Sequence, residues 1–114
     1  MNRPIAYITA AWSDNEYENA ERCAQYRRIL FDAGYDPKCP MQDYSNFIRD
    51  EIPEEYESKL QMSRRELRHC KVLVVCGNIV DDIVKSDIAY AEKLGKAATT
   101  LDGILTVKGL GRKV

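Results

Sequence analysis

Four side chains of this 114-residue chain combine a reactive type with a suggestive position: Asp87, Tyr7, Trp12 and Ser63. Asp87 comes four residues after Ile83 and four before Ala91, at the edge of an apolar helical stripe. A helix N-terminus nearby favours its ionised form, and partial burial favours the neutral one. An ionised carboxylate so placed could attack an electrophilic sugar carbon, as in retaining glycosidases. The same spacing suits an acid that only supports the start of its helix. Tyr7 sits inside a short apolar run, where core packing with a satisfied hydroxyl competes with a polar role. Trp12, at the end of that run, is either a cap on the core or a stacking surface for a base. Ser63 interrupts the stripe Tyr56, Leu60, Leu67, Cys70, and its simplest partner is a carbonyl of its own helix.

Other chemistries lack their residues. No G-x-G-x-x-G or Walker pattern signals a dinucleotide or ATP phosphate cradle. Cys23, Cys39, Cys70 and Cys76 form no C-x-x-C pair, and His69 is the single histidine, so no zinc site is expected. His69 precedes the amino end of a strand, the wrong edge of a parallel sheet for a site. The sequence therefore calls for no metal and no cofactor.

The elements that must hold these residues alternate. Residues 5–10 form a strand buried on both faces, because their apolar run lacks strict alternation. Ser13 with Glu16 fits a capping box, and a helix striped by Cys23, Tyr26 and Leu30 ends at Gly34. Residues 35–39 are a weak strand, placed at an edge by Pro37. Residues 40–51 read as a long irregular loop. Pro53 opens a second helix. Residues 71–76 are the strongest strand, central and parallel. Gly77-Asn78 breaks it, Asp81-Asp82 offers helix caps, and a third long helix runs to Gly95. Residues 97–101 make a last short strand, and residues after 102 are a tail that could add an edge strand or stay mobile. The expected fold is a doubly wound, Rossmann- or flavodoxin-like parallel sheet of four to five strands with helices on both faces. It fills one domain over residues 1–114. In such sheets ligands bind outside the carboxyl ends of the strands where strand order reverses, here between the loops after residues 10 and 76.

The formal net charge is -1, with 17 basic and 18 acidic residues. That balance gives no long-range pull toward nucleic acid polymers or anionic membranes. No apolar run approaches the roughly 20 residues of a membrane span, and the first residues lack a signal-peptide layout. Reduced thiols and a cytoplasmic setting are expected.

Between residues 5 and 100 the chain resembles the nucleoside 2-deoxyribosyltransferase-like superfamily, in particular its small bacterial and phage-associated branch. The resemblance rests on Tyr7-Ile8-Thr9-Ala10-Ala11-Trp12, on Asn19-Ala20, and on a P-x-x-x-Y-x-x-F loop from Pro40 through Tyr44 to Phe47, followed by Asp50 and Pro53. It continues in the strand ending at Cys76-Gly77 and in a motif of the form S-x-G-M-x-x-E-I-x-x-A-x-x-x-G, here Asp81 to Gly95. The resemblance implies cleavage or transfer at the N-glycosidic bond of a nucleoside or nucleotide through a carboxylate nucleophile. Asp87 falls on the nucleophile, and Tyr7 on the tyrosine that orients it. Ser63 falls near an aspartate that handles the base's proton. Thr9, Ala10, Trp12, Asp43, Tyr44, Ser63, Gly77, Asn78 and Ser86 are the implied substrate contacts. A homodimer or larger homo-oligomer is also implied. The chain departs from the pattern at Asp87, which replaces glutamate, at Asp81, Ile83 and Val84, which replace the serine, glycine and methionine of the motif's opening turn, and at Met41, which replaces a histidine. A binding or sensor module that kept the pocket without the chemistry is the alternative, and an assembly domain is a third reading.

Overall fold

The computed structural model describes residues 2–109. The element order is β1 (Ile5–Ala10), α1 (Glu16–Asp32), β2 (Asp36–Lys38), α2 (Pro40–Tyr44), α3 (Pro53–Arg68), β3 (Val72–Cys76), α4 (Asp82–Lys93), β4 (Ala97–Thr100) and α5 (Leu101–Val107). The four strands form one parallel sheet in the order β2-β1-β3-β4. The expected α/β architecture is therefore present, with four strands among the described residues.

Strand pleating divides the core. Ala6, Ile8 and Ala10 face one side of the sheet with Cys23 and Leu30 of α1 and Ile104 of α5. Tyr7 faces the other with Leu67 of α3, Leu73 of β3 and Ala91 of α4. β3 is buried along its whole length, as its unbroken apolar run requires. β2 is a three-residue edge strand, short as Pro37 demands. From β1 the chain steps outward to β2, then returns to lay β3 against the other side of β1. Strand order thus reverses between β1 and β3, and the loops after both strands diverge above a crevice.

Four local expectations change. Ser13 does not cap α1: Asn15 does, accepting the Glu18 amide at 3.0 Å. Ser13 is taken instead by Asn19, whose Oδ1 accepts the Ser13 N–H at 3.0 Å and whose Nδ2 donates to the Ser13 carbonyl at 2.8 Å. Residues 40–51 are not irregular throughout, because Pro40 starts the short helix α2 at its first position. The last strand stops at Thr100, one residue early, and Leu101–Val107 form a helix rather than an edge strand. Residues 110–114 of the expected tail lie outside the described residues. Thr100 caps that helix by accepting the Gly103 amide at 3.0 Å, and Ile104 anchors it in the core at 6% exposure. The other stop and start signals act as read. Gly34 follows α1 with a φ of +100°. Asp81 caps α4 by accepting the Val84 amide at 2.9 Å.

Candidate functional site

Thr9 and Asp87 meet above the switch point. Thr9 sits near the carboxyl end of β1, on the face turned toward α4, and is 2% exposed. Its Oγ1 donates to Asp87 Oδ2 at 2.7 Å. Asp87 is partly buried in the second turn of α4. Burial pushes its carboxyl up, to about 6, and the nearby Asp81 adds to this. The Thr9 bond and the Arg64 guanidinium pull the other way without cancelling it. The result is a carboxylate fixed in direction, largely ionised at neutral pH, and basic enough to act as nucleophile or base.

Tyr7 lies two residues back on the same face and is 1% exposed. Burial, with Asp87 nearby, raises its phenol far above the usual tyrosine range, and the hydrogen-bonded Ser63 hydroxyl opposes the rise. The phenol therefore stays protonated under all ordinary conditions. Ser63 is buried and reaches out of its helix: its Oγ lies 3.3 Å from Met41 Sδ. The expected bond to its own helix is replaced by contacts across the α3 interface with β1 and α2.

Two connected cavities open here. A small pocket of about 190 Å³ is walled by Ser63, Arg64, Ser86 and Asp87, with Leu60 and Asp82. Across its rim, Arg64 donates to Ser86 Oγ at 3.1 Å. Met41, Tyr56 and Ile83 also line a wide cleft of about 910 Å³, which runs over Ala10, Trp12 and the 45–51 segment. Trp12 packs tilted on Tyr26, with ring centroids 6.3 Å apart.

Some implied contacts stand elsewhere. Asp43 pairs with Arg27 at 2.7 Å, and Tyr44 lies edge-on to Phe47, so neither lines a cavity. Gly77 and Asn78 also line neither. Gly77 has a φ of +86°, and a Cβ there would sit 3.1 Å from an Arg22 nitrogen and 3.3 Å from the Tyr26 hydroxyl. Its role is close packing beneath those side chains. His69 ends α3 and contacts the Arg65 carbonyl at 2.8 Å, on the far edge of the sheet. Cys76, at the end of β3, is pushed up to about 12 by burial and is not a thiolate at neutral pH.

Lys59 is a buried polar residue of the cleft that no motif in the sequence marks. It lines the cleft at 3% exposure, and its Nζ donates to Ser45 Oγ at 2.9 Å and to Asp50 Oδ1 at 3.0 Å. Its spacing from Tyr56 and Ser63, three and four residues, was the available signal, masked by the expectation that lysine points to water. Among the described residues no three His, Cys, Asp or Glu side chains converge on a metal position. No described helix is long and apolar enough to cross a membrane.

Residues 4–101 match the family described as a domain of unknown function, DUF7768. The chain belongs to that family. No curated protein matches it. Among solved structures it is similar to a 2-deoxyribosyltransferase from the psychrotolerant bacterium Bacillus psychrosaccharolyticus, described as a biocatalyst for nucleoside synthesis. The TM-score is 0.67 at 13% identity, over 84% of this chain and 70% of that one. At that identity the likeness is one of fold. The DUF7768 chain thus shares a parallel α/β frame with a nucleoside deoxyribosyltransferase.

Proposed function

We propose that this DUF7768 protein cleaves or transfers at the N-glycosidic bond of a nucleoside, with Asp87 as nucleophile. The carrying observation is the Thr9–Asp87 bond, which aims a partly buried carboxylate into a pocket at the strand-order reversal. Asp87 attacks C1′, the base departs, and a sugar ester forms. Water or a second base then takes the sugar. Tyr7 and Thr9 orient the carboxylate from behind, and Ser63, Ser86 and Arg64 offer hydrogen bonds to sugar hydroxyls. Ala10 and Trp12 line the space left for the base. The whole chain acts as one domain, and its four free, buried thiols suit a cytoplasmic setting.

The test follows base release from a panel of ribo- and deoxynucleosides, with and without a second free base. Asp87→Ala is expected to abolish release. Asp87→Glu, which moves the reacting oxygen by ~1 Å, is expected to lose on the order of 100-fold. Turnover that survives Asp87→Ala sinks the assignment.

One observation favours a binding module instead. Ile83 walls both cavities at the position where the resembling motif has glycine, and its side chain takes up room near Asp87. Nucleoside binding without turnover, retained in Asp87→Ala, would select that reading.

A further inference from the structure

The chemistry proposed for Asp87 leaves one requirement open, which is how the departing base acquires its proton. When the C1′–N bond breaks, its electron pair stays on the base, and a neutral base needs an acid beside it. The small pocket holds none suited to neutral pH, and the ammonium of Lys59 in the adjoining cleft is already given to Ser45 and Asp50. Ser63 and Ser86 are hydroxyls, Arg64 does not give up its proton, and the Tyr56 phenol is raised by burial. Tyr7, behind the pocket, is raised much further. Asp82 stands exposed in the first turn of α4, at the outer edge of the pocket. His69, the one histidine, is at the opposite edge of the sheet.

The wide cleft supplies an independent clue. Three aromatic side chains, Trp12, Phe47 and Tyr56, share its wall with Asp14, Glu16, Asp50, Glu51 and Asp81. Its basic members are Arg49 and Lys59, and Lys59 is already bound to Asp50. Aromatic faces together with carboxylates recognise organic cations and repel phosphate.

We infer that the substrate is a nucleoside without a 5′-phosphate whose base carries a fixed positive charge on a quaternised ring nitrogen. The sugar occupies the small pocket and the cationic base the aromatic, acidic cleft. As Asp87 bonds to C1′, the C1′–N pair discharges the ring nitrogen, and the base leaves neutral with no proton taken up. Water then opens the ester, giving free sugar, the Asp87 carboxylate and one proton to solvent. This rests on the ester reaction proposed above and fixes the leaving group it serves.

The experiment uses 7-methylguanosine and guanosine, their 2′-deoxy forms and their 5′-phosphates. Base release is measured from pH 5 to 9 and divided by the uncatalysed rate, which removes the cation's intrinsic lability. Binding of the same set to Asp87→Asn is measured by calorimetry. The methylated nucleoside is expected to bind about 10-fold more tightly than guanosine, and its phosphate more weakly than itself. Glu16→Gln with Glu51→Gln is expected to erase most of that preference. The rate is expected to rise as Asp87 ionises and to fall at higher pH only along the loss of the N1 proton of the methylated base, which cancels its net positive charge, with no separate fall marking a required acid of the protein. Equal binding of both nucleosides, or a preference untouched by the glutamate changes, overturns the inference. Efficient guanosine cleavage with a bell-shaped profile overturns it too, while leaving the ester reaction standing. Charge-selective binding without any turnover supports the recognition and overturns the reaction.

Discussion

Asp87 works against the stability of the fold that holds it. Its carboxyl is raised to about 6 in the folded chain, against about 3.9 when unfolded. Between those values the folded state binds more protons than the unfolded one, so stability falls as pH rises through that window. Above pH 6 the whole cost is present, on the order of 3 kcal/mol. Asp87→Asn keeps an oxygen for the Thr9 hydroxyl and removes the charge. We expect it to stabilise the protein at pH 8 and to leave it nearly unchanged at pH 4, as read by urea denaturation at both. A variant no more stable at pH 8 would show that the carboxylate carries no such strain. Thr9→Val acts in the opposite sense on the same group. Losing the donor raises the carboxyl further and carries any Asp87-dependent rate profile upward with it. An NMR titration of the Asp87 carboxyl carbon measures the shift directly. Asp87 and Tyr7 were legible as candidates because a charged or phenolic group stood in an apolar period. The resemblance implies Thr9 as a ligand contact, and no pattern in the sequence carries its bond to Asp87. The partners lie 78 residues apart in sequence, and only the parallel register of β1 with β3 and the packing of α4 bring them together.

The segment between α2 and α3 is held down by two side chains of α3: Glu55, which accepts the Arg49 N–H at 3.1 Å, and the buried Lys59. Lys59 reaches from α3 to Ser45 and to both carboxylate oxygens of Asp50, which fastens the wall of the cleft onto the helix. Asp50 keeps 55% of its side chain in solvent. Removing the ammonium therefore strands no buried charge, and methionine can fill the space of the lysine stem. Lys59→Met is expected to change global stability by no more than about 1 kcal/mol. Its effect belongs to the loop: amide exchange in residues 45–52 should quicken about 10-fold, while β3 stays protected. Hydrogen exchange by mass spectrometry separates the two, and unchanged loop exchange would mean that other contacts hold the cleft wall. This element was the least legible in sequence. Its twelve residues show neither helical nor strand period, so the reading gave a loop. A proline at the first helical position and the side chains of Glu55 and Lys59, none of them a periodic signal, order it. The reverse held for β3, where five consecutive buried residues stood out in sequence and form the central strand.

The sheet divides the molecule into two half-cores, and that division separates what stabilises the fold from what shapes the candidate site. Alternation along β1 sends Ala6, Ile8 and Ala10 toward α1 and α5, and sends Tyr7 and Thr9 toward α3 and α4. This alternation was hidden from the sequence reading, since a strand covered on both faces is apolar throughout. The tail was unreadable for a different reason. Glycine and basic residues dilute its pattern, and a helix held by one threonine cap and one buried isoleucine carries little periodic signal. Ile104 nevertheless packs against the half-core opposite Asp87. Ending the chain after Thr100 removes that isoleucine and the cover of Leu101, a loss of about 2–3 kcal/mol by the usual value for a buried aliphatic side chain. For a domain of this size that lowers Tm by on the order of 10 °C. The Thr9–Asp87 bond and the small pocket lie across the sheet and share no contact with α5. Sites so separated behave additively, so the truncated chain is expected to bind or turn over nucleoside at the rate of the full chain wherever both are folded. Calorimetry gives the first quantity, and ligand titration well below the lowered Tm gives the second. A truncated chain that stays folded but loses its ligand would place α5 within the site and break the division between the two faces.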